Sequence, residues 1–148
     1  MCLEVARDNL GANLDIGHCF AAQEAPAEAA AMLARHRRLF YIHASDNPGD
    51  GGDWDMISGS VHLWHWVELL MTLEQIGYDG WIGADLMPKL NDADTYYATN
   101  ARLIDAIARF VERVGEDHLR ALRGREGAIP EIFALLADNL AGTSAVAK

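Results

Sequence analysis

Three short apolar runs, each closing on a residue that can hold a cation or move a proton, constrain this chain more than any other feature. Gly11-Ala12-Asn13-Leu14-Asp15 ends on an aspartate, Leu39-Phe40-Tyr41-Ile42 runs into His43, and Gly80-Trp81-Ile82-Gly83-Ala84-Asp85 ends on an aspartate again. Their length and their glycine and turn-residue boundaries predict buried strands. Ala27 to Arg38 is Ala-rich, with Met32 and Leu33 on one side and Arg35, Arg37 and Arg38 at its end, which suits the negative pole of a helix C-terminus. Val61 to Ile76 carries Leu63, Trp66, Val67, Leu70, Met71 and Leu73 at helical spacing, and Gly77 follows as a natural stop. Asp94 to Val114 repeats the pattern and stops at Gly115. Strands joined by crossover helices lie parallel, so their C-terminal ends emerge on one edge of the sheet. Asp15, His43 and Asp85 are therefore expected to converge, although none is near another in sequence.

The loop after the second strand sharpens this expectation. Ser45-Asp46-Asn47-Pro48-Gly49-Asp50-Gly51-Gly52-Asp53-Trp54-Asp55 is rich in turn residues, and Asp53 and Asp55 would point the same way if that piece is extended. His18 lies three residues beyond Asp15 across a turn. Two cation positions follow: Asp15, His43 and Asp85 at one, His18, Asp53 and Asp55 at the other. Carboxylates and imidazoles without thiolate suit manganese, cobalt or magnesium better than structural zinc. Trp54 reads as a pocket wall and Lys89 as a cation reaching a substrate oxygen, whereas Trp66 and Trp81 read as core. Asp46 and Asp50 are expected to shape the loop through Asx-type turns. His62 and His65 read as surface or capping residues, Cys19 as a buried structural thiol, and Arg120, Arg123 and Arg125 as a solvated or subunit-contacting cluster.

With 148 residues, 51% hydrophobic and 23% charged, the chain can bury a core of its own. A formal charge of -10 disfavours nucleic acid and anionic membrane surfaces as partners. Two cysteines give no disulfide framework, and charges near the N-terminus argue against an export signal, so a reduced, cytoplasmic setting is expected. Glu4 to Leu10 reads as the last turns of a helix without a cap. Residues 1–115 form the α/β portion in this reading. Residues 116–148 form a C-terminal helical extension and tail, with a charged stretch leading to Pro130, a helix from Glu131 to Leu140 and a frayed end from Gly142.

The runs Asn13-Leu14-Asp15-Ile16-Gly17-His18, Tyr41-Ile42-His43-Ala44-Ser45-Asp46-Asn47, Asp53-Trp54-Asp55 and Ile76-Gly77-Tyr78-Asp79-Gly80-Trp81-Ile82 with Ala84-Asp85 together resemble the C-terminal half of the xylose isomerase-like TIM barrels. That group includes xylose and L-rhamnose isomerases, ketose 3-epimerases and endonuclease IV-type repair enzymes. The resemblance covers about Glu4 to Val114. It implies a divalent-metal sugar isomerase or epimerase, with Asp15, His43 and Asp85 matching first-site ligands and His18, Asp53 and Asp55 second-site ligands. The rhamnose-isomerase branch fits best, because it carries histidine at the position of His43. A full barrel has eight strands in about 250 residues. This chain shows three, so a partial (β/α)8 TIM barrel is expected, without the bridging glutamate that earlier strands supply in the family.

The resemblance implies aldose-ketose isomerisation of a small sugar, with manganese as the first choice of metal and Asp53, Asp85 and His18 handling protons. The alternatives are 3-epimerisation, with Asp85 at the one retained acid-base position, or a catalytically silent half-barrel. Short apolar strands with open edges further predict self-association or pairing with a complementary half-barrel.

Overall fold

The computed structural model describes residues 2–5, 7–89 and 92–140. The tail expected from Gly142 onward lies outside them. Helix α1 (Cys2–Val5) precedes strand β1 (Ala12–Asp15), helices α2 (Ile16–Ala21) and α3 (Pro26–Arg35), strand β2 (Leu39–Ala44), helix α4 (Leu63–Gln75), strand β3 (Trp81–Ala84) and helix α5 (Ala93–Val114). Two further helices follow, α6 (Glu116–Arg123) and α7 (Ile129–Leu140). The strands form one parallel three-stranded sheet in the order β1-β2-β3. This is the expected partial TIM barrel of βα units.

The register decides which residues share a face. Leu14 pairs with Ile42 and Ile42 with Ile82, while Asp15 pairs with His43 and His43 with Gly83. Because side chains alternate across a strand, Leu14, Ile42 and Ala44 fall on the helix side and are buried, together with Trp66, Val67, Leu69 and Met71 of α4. Asn13, Tyr41, Trp81, Asp15 and His43 occupy the other face. Tyr41 lies across Gly83, where a Cβ would come within 2.0 Å of its hydroxyl, so only glycine leaves room for the ring. Ile42 is fully buried at the centre of this layer. Ile42→Val is expected to cost about 0.5–1.5 kcal/mol, read as a shift in urea midpoint at unchanged slope.

Three elements differ from expectation. Trp81, read as core, is 79% exposed. It stands on the sheet face opposite the helices, and β3 is an edge strand, so nothing in this layer covers it. Arg7 to Leu10 is a turn closed by Leu10 N donating to Arg7 O, rather than more helix. The charged stretch after Gly115 is helical as α6, with Leu119 and Leu122 buried and an ion pair between Arg120 and Glu116 one turn apart. Arg125 pairs in turn with Glu131, so Arg120 and Arg125 both meet carboxylates within the extension. The chain divides into two compact units, one up to Ile107 and one from Ala108 onward. Among the described residues no helix is long and apolar enough to cross a membrane.

Candidate metal centre

The donors at the strand ends meet as parallel pairing requires. Asp15 ends β1 and also caps α2, its Oδ1 accepting from His18 N at 3.1 Å. Its other oxygen, Oδ2, lies 3.3 Å from His43 Nδ1. His43 Nδ1 is also 2.8 Å from Asp85 Oδ2. Asp85 continues the β3 ladder through its N–H, which donates to Ala44 O at 3.2 Å. One donor atom from each of Asp15, His43 and Asp85 lies within 4.8 Å of the other two. Ligands on adjacent corners of an octahedral cation, each at ~2.1 Å, sit roughly 3 Å apart. The 2.8 and 3.3 Å separations match that spacing, so the triad fits a divalent metal.

The neighbouring residues are also brought close. His18 Nε2 lies 3.4 Å from Asp53 Oδ1, and its Nδ1 is 3.9 Å from Asp15 Oδ2. The hydrogen bond that the His18 ring donates to Asp53, and then the charge of Asp15, raise the His18 pKa. Stability gained from this pairing is present at low pH and is lost as pH rises through the raised value. Asp55 sits in a left-handed conformation, φ 40°, and its carbonyl accepts from Met87 N at 3.0 Å, tying the β2–α4 loop to the segment after β3. Burial, then the charges of Asp53, Asp85 and Asp15, raise the Asp55 pKa. Ionising it therefore costs stability as pH rises above the ordinary aspartate range, a repulsion that a cation would relieve. Among the described residues His18, Asp53 and Asp55 do not form a second set of three close donors.

Trp54 and Lys89 meet at the rim: Lys89 Nζ stands 4.0 Å above the indole, whose Nε1 donates to Asp50 Oδ1 at 2.7 Å. Asp50 also accepts from Gly52 N, the expected Asx turn. Asp46 behaves differently from the expected turn former. It is wholly buried, and it clasps the start of α4 by accepting from Val61 N and His62 N, each at 3.0 Å. Its other oxygen accepts from Asn47 N and faces His62 Nδ1, each at 2.8 Å. His62 stands at the α4 N-cap without a side-chain cap bond, because Asp46 holds its ring. Sequence reasoning also missed Asn100 of α5, which is buried and accepts from Ser58 N at 2.7 Å, fastening the far end of the same loop.

Cys19 is buried on α2, and burial, then Glu24 and Asp15, push its pKa up to about 11. At pH 8 only about one thiol in a thousand would be ionised, so the residue is expected to resist iodoacetamide in the native chain and to react in urea. Peptide mass mapping checks this. Rapid native labelling of Cys19 would contradict its burial.

A parallel α/β layer with acidic and imidazole donors at its C-terminal strand ends defines the class of barrel-type proteins that place their sites on that face. The comparison with known families is specific: the model of the xylose isomerase-like TIM barrel matches residues 1–107, and the chain belongs to that family. A search of curated proteins gave no match.

Proposed function

We propose that the chain contributes the strand-end site of a divalent-metal sugar isomerase acting between aldose and ketose, L-rhamnose isomerase-like in pattern. The observation that carries this reading is the convergence of Asp15, His43 and Asp85 beside the His18–Asp53 pair. Manganese fits an oxygen-rich donor set with one imidazole, and when bound it would polarise neighbouring sugar oxygens and stabilise negative charge on them. Asp15 and Asp85 hold their oxygens towards His43, and His43 orients them. His18 and Asp53, both exposed, share a proton across 3.4 Å and are placed to pass it to a hydroxyl oxygen. Trp54 offers an apolar wall for the sugar ring, and Lys89 a positive charge above it.

Exposure of Tyr41 and Trp81 on the sheet face away from the helices favours a second element of the reading: the working form is an assembly in which further strands, from copies of this chain or from a complementary half-barrel, cover the open face. The test is isomerisation of L-rhamnose and other aldoses with added manganese, run with light scattering across a concentration series. Ketose formation that rises with the assembled fraction supports the reading. Turnover by a well-folded monomer would refute the need for assembly, and no ketose in any assembled form would refute the isomerase.

A further inference from the structure

His62 and His65 take no part in the strand-end site, and they line a separate cavity of about 380 Å³ with Phe20, Glu24 and Pro48. Asp46 fixes the first of these rings. An ionised carboxylate only accepts hydrogen bonds, and Asp46 Oδ1 lies 2.8 Å from His62 Nδ1. This contact selects the Nδ1–H tautomer, in which the Nε2 lone pair is the one a cation would use. A carboxylate behind an imidazole is how proteins orient a metal-ligating histidine and raise its basicity. Phe20 stacks on the His62 ring at 4.0 Å and 15°, fixing its plane. His65 stands edge-on, its ring centre 5.5 Å from that of His62. Two imidazoles bound to one tetrahedral cation at ~2.0–2.1 Å have ring centres roughly 5 Å apart.

Charge selects the class of ligand. The Val61 and His62 N–H groups at the helix start are already taken by Asp46, so they cannot serve an anion. Buried Asp46 and the Glu24 carboxylate favour positive charge instead. Two imidazoles prefer a borderline transition metal such as zinc over manganese or magnesium.

We propose that His62 and His65, in the cavity that Glu24 and Pro48 also line, form a second cation site for a zinc-class ion, bracing the loop that carries Asp53 and Asp55. Among the described residues only the strand-end triad already has three donors within mutual reach. Here two imidazoles would anchor the ion, and the Glu24 carboxylate lines the same cavity. The experiment is titration of the chelator-stripped full chain with zinc chloride, followed by calorimetry and by the imidazole proton resonances. The unmodified chain should take up one more zinc equivalent than His65→Gln, Asp85→Asn should retain that equivalent, and the His62 and His65 ring signals should shift on binding. His65→Gln leaves the Asp46 bonds intact, and far-UV circular dichroism confirms its fold. Equal zinc stoichiometry and affinity in His65→Gln and the unmodified chain would overturn the proposal, as would His65 ring signals unmoved at saturating zinc.

Discussion

Replacing Asp46 by alanine is expected to lower stability by about 3–5 kcal/mol, the range for removing one partner of a buried charged network. The carboxylate is wholly buried and meets four donors: the N–H groups of Asn47, Val61 and His62, and His62 Nδ1. Alanine accepts from none of them. Each buried N–H left without an acceptor costs about 1–3 kcal/mol, and relaxation towards water recovers part of the sum. Urea unfolding followed by tryptophan fluorescence reads the effect. A loss below 1 kcal/mol would mean that water reaches the clasp and that the start of α4 is held by its apolar stripe alone.

The second large effect concerns the ion. In the unmodified chain, manganese at a hundred times its dissociation constant should stabilise the fold by about 2.7 kcal/mol. His43→Ala should abolish that increment, because His43 Nδ1 is the donor that both Asp15 Oδ2 and Asp85 Oδ2 face. The readout is the change in Tm on adding manganese within each variant, so any difference in intrinsic stability cancels. An equal manganese shift in both proteins would remove His43 from the site. Asp15→Ala should behave in the same way, with an added loss at the first turn of α2, where Asp15 Oδ1 is the cap.

The sheet was legible because its information is local. An apolar run bounded by glycine and ending on a polar residue announces a strand, and the intervening helical stripes require parallel pairing, which alone brings Asp15, His43 and Asp85 to one edge. Hydrophobic spacing showed α4 and α5 for the same reason. It failed at α6, where the helix rests on only two buried leucines, Leu119 and Leu122, among charges. It failed for Trp81 because a period of two gives the face a residue occupies and not whether another layer covers that face. Asp46 was misread because its partners Val61 and His62 stand fifteen and sixteen positions further on, beyond the reach of any turn rule. His62 was misread with it, since a histidine at a helix start looks like a cap until its ring is seen to turn back to the carboxylate.

That clasp also makes the β2–α4 connection modular. Asp46 N and O exchange hydrogen bonds with Met56 O and N at 2.8 and 2.9 Å, so the segment from Asn47 to Asp55 leaves and re-enters the fold through one fixed gate. At Gly51, where an added Cβ would meet nothing within 4 Å, the tip has room for inserted residues, and doubling a loop costs only about 0.6 kcal/mol in closure entropy. Residues inserted there would alter what overhangs the strand ends, while Asp15, His43 and Asp85 keep their places in the sheet. Substrate range in such a chain could therefore drift through loop length alone, on a metal centre that stays still.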